Sequence, residues 1–198
     1  MRKRNYQKET KHQPTQSARF YPGAYMDPER AARVLRMDVS IEELTVDDIV
    51  FGLANVALSN YHTLLQIVHD EWGPEAAKKA AYQFGFRAGT RSYKSQLDRW
   101  KTKSLTPEQM CIYQDTLHVI IAAPHCFCRY DDKKVIVQRS KCNLYNPTAP
   151  EAVRNLCLHT DKGYVDAYMQ LDPKIKPTLY EALPKGDAFC RHIFRYEK

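Results

Sequence analysis

The chain has 198 residues, of which 43% are hydrophobic and 27% charged, and its formal net charge is +7. That length and balance predict one soluble globular domain with room for a sizeable core. No apolar run reaches the roughly 20 residues that span a bilayer. The basic start Met1-Arg2-Lys3-Arg4 is not followed by the apolar stretch of a secretory signal, so the cytoplasm is the expected location.

The charge is unevenly placed. Six basic residues and a single acid, Glu9, fall in residues 1–20, which therefore carry +5 of the +7. This polar segment reads as a disordered basic tail. It is better suited to a solubilising arm than to a nucleic-acid ligand, although an interaction module built on the tail is the third functional reading. Residues 21–198 read as a single α+β domain. The cysteines are Cys111, Cys126, Cys128, Cys142, Cys157 and Cys190. They lack the dense spacing of a disulfide scaffold, so reduced thiols are expected.

Short helical pieces are expected over residues 20–46, one of them starting at Asp27-Pro28. Thr45 then caps a long helix. Within it Ile49, Val50, Leu53, Val56, Ala57, Leu64, Ile67, Val68 and Trp72 recur at helical spacing, which predicts a buried stripe. Gly73-Pro74 ends that helix and starts a second, which runs to about Trp100. Gly85 and Gly89 lie four apart in this second helix and predict close approach of another backbone or a ligand. A third helix starts at Thr106-Pro107-Glu108-Gln109.

From about His118 to Arg129 the sequence becomes apolar and compatible with a strand. Asp131 to Lys134 make a turn, and Val135 to Arg139 return as a second strand. Cys126 and Cys128 share one face of the first strand and read as small core residues. Short helices are expected from Ala149-Pro150 to Leu158 and again over Gly163–Tyr168. Lys176–Leu183 and Ala188–Tyr196 form a closing hairpin, in which Gly186-Asp187 is turn chemistry. Helices first and antiparallel strands later predict an α+β fold, with N-terminal helices packed on a C-terminal antiparallel sheet crossed by short helices. The long amphipathic helices and paired glycines would suit a homodimer.

No phosphate-binding loop, dinucleotide fingerprint, nucleophile elbow or metalloprotease helix occurs, which removes those chemistries. Three segments remain: Cys142-Asn143-Leu144-Tyr145, Leu156-Cys157, and Leu183-Pro184-Lys185-Gly186-Asp187-Ala188-Phe189-Cys190-Arg191-His192. In this arrangement the chain resembles the L-2-amino-thiazoline-4-carboxylic acid hydrolase family, itself related to 4-vinyl-reductase-type small-molecule-binding domains. The chain departs from the family pattern at Asn143, where a proline is usual.

The resemblance implies opening of a ring at its amidine-like carbon. Such a reaction needs a nucleophile or activated water, a proton donor for the leaving atom and a cation for the substrate carboxylate. It implies Cys142 as the thiol nucleophile with Cys157 and Cys190 nearby, and His125 or His159 as acid/base. Asp161, Glu181 and Asp187 are further proton-exchange candidates. Arg139, with Arg191 as the alternative, would bind the carboxylate, and Tyr145 and Tyr164 would line the pocket. The related domains also imply zinc as an option, through Cys142, Cys157, Glu181 and Cys190, although Pro184 stands where they place a further cysteine. The runner-up to the hydrolase is a non-catalytic small-molecule sensor on the same fold.

Overall fold

The computed structural model describes residues 15–16, 28–120, 126–139, 142, 144–145, 147 and 149–197. The fold is α+β: helices pack against an antiparallel sheet whose long strands come late in the chain. Helix α1 (Pro28–Leu35) and a short 3-10 turn (Ile41–Glu43) lead into α2 (Val46–Trp100), and α3 (Pro107–Ile120) follows. Strands β2 (Cys126–Tyr130) and β3 (Lys134–Arg139) come next, then α4 (Glu151–Arg154) and α5 (Leu156–Leu171). Strands β4 (Ile175–Glu181) and β5 (Cys190–Tyr196) close the chain. The sheet order is β1-β2-β3-β5-β4, where β1 is the two-residue strand Thr15–Gln16 on the edge of β2. That pair falls inside the segment read as a tail, and the rest of residues 1–20 lies outside the described residues.

Local chemistry explains the boundaries. At the start of α2 the Thr45 hydroxyl accepts from the Asp48 N–H at 3.2 Å, while the Asp48 carboxylate accepts from the Thr45 N–H at 2.8 Å. This capping box satisfies backbone donors that the first turn leaves open. Arg30 of α1 reaches the same carboxylate at 2.8 Å, tying α1 to the cap. Those hydrogen bonds, from Arg30 first and then from Thr45, hold Asp48 well below the usual carboxylate range.

Helix α2 is a hairpin of two helical halves. Gly73 sits at φ 82°, ψ 175°, a conformation essentially confined to glycine, and Pro74 follows with no N–H to offer. The fold-back brings the Tyr61 and Phe84 rings to 4.9 Å between centroids, although they are far apart along the chain. The expected stop and restart at Gly73-Pro74 therefore matches the geometry.

The expected buried stripe does not. Ile49, Leu53, Val56, Leu64, Ile67 and Trp72 are all exposed, with Leu53 66% and Trp72 68% accessible. The buried face of the first half is instead Ala54, Tyr61 and Leu65. These pack with Ala77 and Ala81 of the second half and with Val153 and Leu156. Helical periodicity identifies an apolar face without saying what covers it.

The second half of α2 lies directly on α5. A Cβ on Gly85 would stand 1.9 Å from the Thr160 carbonyl oxygen, and one on Gly163 would stand 2.2 Å from the Tyr82 carbonyl oxygen. Gly85 and Gly163 thus let two backbones touch where any side chain would separate them. Gly163 accordingly sits inside α5, which follows the separate α4 and joins the end of the first expected short helix to the second.

Helix α3 begins with a Thr106/Gln109 cap, at 3.0 and 3.2 Å, and continues through His118 to Ile120. The strand expected from His118 therefore starts later, at Cys126. Apolar runs of this kind do not distinguish buried helix from buried strand. The main core lies between the sheet, α3, α5 and the second half of α2, around Tyr93, Met110, Cys128, Val135, Val137 and Phe194. Cys128 is a core residue as expected. Cys111, Cys142, Cys157 and Cys190 carry free thiols. Among the described residues no helix is long and apolar enough to cross a membrane.

Candidate functional site

Two periodicities bring the polar groups together. Strand β3 alternates so that Val135, Val137 and Arg139 are buried on one face, and β5 does the same with Cys190, His192 and Phe194. The antiparallel register sets Arg139 opposite Cys190 and Val137 opposite His192. Helix α5 lays Cys157, Asp161, Tyr164 and Tyr168 on its sheet-facing side at spacings of three and four. The segment after β3 returns through a turn in which the Tyr145 N–H donates to the Cys142 carbonyl at 3.0 Å, and so adds Cys142.

The result is a cavity of about 230 Å³ with a smaller recess beside it. Arg139, Leu144, Asp161 and His192 line both. Cys142, Cys157 and Cys190 line the recess, while Tyr61, His118, Tyr164 and Tyr168 line the cavity. Three cysteines from separate segments of the chain therefore meet beside one buried arginine.

A charged relay forms the shared wall. His192 Nε2 lies 2.7 Å from Asp161 Oδ2, and Arg139 Nη2 lies 2.9 Å from His192 Nδ1. Because the guanidinium can only donate, Nδ1 is the acceptor and Nε2–H donates to Asp161. Arg139 also stands 3.8 Å from Asp161 Oδ1. Burial opposes ionisation of Asp161, but the nearby His192, its hydrogen bond and the Arg139 charge prevail and hold the carboxyl below its ordinary value.

The three thiols are not equivalent. A hydrogen bond from Cys190, followed by the Arg139 charge and the Leu144 backbone N–H, lowers the Cys142 thiol against the cost of burial. Cys190 is raised because it supplies that hydrogen bond and is itself buried. Burial, then the neighbouring Cys142 and Asp161, pushes Cys157 up to about 12. Cys142 is therefore the thiolate of the set, with Cys190 as donor and Cys157 as a neutral thiol. Cys142 is also the partly exposed member.

His118 is the group that sequence reading missed. It is 2% exposed, its Nδ1 faces the Gln114 carbonyl one turn earlier, and its Nε2 has no hydrogen-bond partner among the described residues. With Nδ1–H committed to a carbonyl, Nε2 offers a lone pair toward the cavity that His118 lines. The signal was available only once His118 stood on a helix with Gln114 at i−4. Asp161, expected as a proton-exchange candidate, lies at the site, whereas His192 was also missed and could have been found from its alternation with Cys190.

Other expected residues fall elsewhere. His159 is two residues from both Cys157 and Asp161, so it points round the helix toward Lys78 and Glu75 and lines neither cavity. Burial, then Lys78, lowers its pKa. His125 lies outside the described residues. Tyr145 is partly buried beside Cys142 but lines neither cavity, whereas Tyr164 lines the larger one. Arg191 is held by Glu181 at 3.1 Å and by Gln138 at 3.1 Å, so Arg139 is the cation at the site. Asp187 accepts the Ala182 N–H at 2.8 Å, which is a turn role. With Glu181 committed to Arg191, the four residues considered for zinc do not form one ligand set, and the described residues contain no group of three or more metal-ligating side chains arranged around a point.

No protein-family model matches the chain, and no curated protein matches it significantly. The functional reading therefore rests on the geometry of this site and on the sequence resemblance.

Proposed function

We propose that the protein is a hydrolase that opens a small, carboxylate-bearing cyclic amidine, as the aminothiazoline carboxylate hydrolases do. The observation that supports this reading is the meeting of Cys142, Cys157 and Cys190 with Arg139 and the Asp161–His192 pair at the end of a cavity. In this reading the Cys142 thiolate adds to the ring carbon that lies between sulfur and nitrogen. The bond from that carbon to the ring sulfur or nitrogen then breaks, while His118 Nε2 accepts a proton from the protonated amidine nitrogen and passes it to the departing atom. Water attacks the resulting protein-bound adduct and expels the Cys142 thiolate, so that one water is consumed for each ring opened.

Arg139 pairs with the substrate carboxylate, and His192 and Asp161 fix the guanidinium in place. His118 takes the acid/base role that was expected of His125 or His159. Incubation of the purified chain with 2-amino-thiazoline-4-carboxylate, followed by mass-resolved chromatography, tests the reading: carbamoyl-cysteine is the expected product. His118→Ala should lower kcat by roughly 10²- to 10⁴-fold, the usual worth of a positioned proton donor.

A ligand-binding protein on the same fold is the second reading, and the observation that favours it is the predominantly apolar lining of the larger cavity. In that case Cys142→Ser changes affinity and there is no turnover to lose. For the expected homodimer, support comes from the exposed row Ile49, Leu53, Val56, Leu64 and Ile67. The paired glycines no longer bear on it, because α5 already occupies them.

A further inference from the structure

The cavity is larger and more apolar than an unsubstituted aminothiazoline carboxylate needs. That molecule is a single five-membered ring with an amine and a carboxylate, polar around most of its edge. A dry cavity of roughly 150 Å³ accepts a benzene ring, whereas this one measures about 230 Å³. Its charged groups lie to one side: Arg139, Asp161 and His192 also line the recess that holds the thiols, and His118 is near enough to Asp161 to act on its ionisation. Ala54, Leu58, Leu117, Val165 and Phe194 supply apolar wall. The small side chains of Ala54 and Ala57 on α2 create much of the room, and a larger residue at either position would fill it.

Polar groups converging at one end of an apolar chamber specify an amphipathic ligand, because each surface is then matched and no buried charge faces hydrocarbon. His118 supports the same orientation. It is almost fully buried with an unpartnered Nε2, so the ligand's polar head must lie at its end of the chamber.

We infer that the natural substrate carries a hydrocarbon or aryl group beyond its amidine-carboxylate head, seated against Ala54, Leu58, Leu117 and Val165 while Arg139 and His118 hold the head. This inference rests on the site assigned under the proposed function, and it specifies the class of substrate for that site.

Calorimetry on the full chain with acetate, butyrate, hexanoate, octanoate and 3-phenylpropionate tests it, run beside turnover of 2-amino-thiazoline-4-carboxylate. Affinity should rise about fourfold per added methylene until the chamber is full. Ala54→Phe should abolish the gain for the longer acids. Val165→Phe provides the same readout from α5 if the first variant does not fold. The acid series on the wild-type chain is decisive by itself: equal affinity along it would overturn the inference, as would an unchanged gradient in a folded chamber-filling variant. Rising affinity without any turnover would uphold the chamber and remove the hydrolase, so the two failures are separable.

Discussion

The first half of α2 carries more large apolar residues than the second, yet it is the half that leaves a row of them exposed. The second half packs Ala77 and Ala81 in a core and presses Gly85 onto the backbone of α5, where no side chain fits between. The first half buries only a narrow line of Ala54, Tyr61 and Leu65, and leaves Leu53, Val56, Leu64 and Trp72 exposed. Small residues thus mark the side on which the neighbouring backbone lies, and the large apolar residues mark the open side. The same first half also provides Ala54 and Ala57 to the cavity, so its inner face shapes the site while its outer face stays available.

Substitutions on the two halves should separate this contrast. The largest effect is expected at the glycine contact. Gly85→Ala and Gly163→Ala each force a methyl group against backbone atoms, and should cost about 3 kcal/mol. That corresponds to a fall in Tm of roughly 6–12 °C for a domain of this size, read by thermal circular dichroism. On the outer face, Leu53→Ser and Leu64→Ser should change stability by less than about 0.5 kcal/mol. If the row is a subunit contact, the same changes should lower the sedimentation coefficient toward that of a monomer. Large losses of stability in both sets would erase the distinction between the halves.

A third test is chemical. Iodoacetamide near neutral pH should modify Cys142 well before Cys157 and Cys190, as read by peptide mass mapping, because only Cys142 is held as thiolate. Arg139→Gln should slow that modification by removing a stabilising charge. The smallest effect concerns pH. Asp48 and Asp161 have folded pKa values below their unfolded ones, so their contribution to stability is present above about pH 4 and is lost as pH falls through the folded values. Asp48→Asn should flatten the acid limb of a stability profile, most visibly at the α1–α2 junction that Arg30 secures.

Local signals were legible in the sequence. The Thr45 cap, the Gly73-Pro74 break, the Thr106 cap and the Gly186 turn each depend on a few adjacent residues, and each stands where those residues place it. The α+β class followed from the order of such elements. What depends on contacts between distant segments was less legible. The open side of α2 was mistaken for the buried side because both faces contain apolar residues. His118 was assigned to a strand because Val119, Ile120 and Ile121 continue an apolar run, and its role as a cavity histidine was lost with the helix.

At the site, Cys142, Cys157, Cys190, Arg139 and Tyr164 were named from the sequence, and the structure gathers them around adjoining cavities. His159 was named beside them but projects from the wrong face of α5, an angular fact that residue type alone does not carry. The Arg139–His192–Asp161 chain joins residues on β3, β5 and α5, and only the sheet register and the helix packing reveal it.

The central claim is that Cys142 is the nucleophile of a ring-opening hydrolase. Intact-mass spectrometry of protein quenched during turnover of 2-amino-thiazoline-4-carboxylate tests it most directly. The expected result is an adduct of the substrate's full mass on Cys142, absent from a folded Cys142→Ser variant that also makes no carbamoyl-cysteine. Product formation at the wild-type rate by Cys142→Ser, or no product from the wild-type chain at high enzyme concentration, would contradict it.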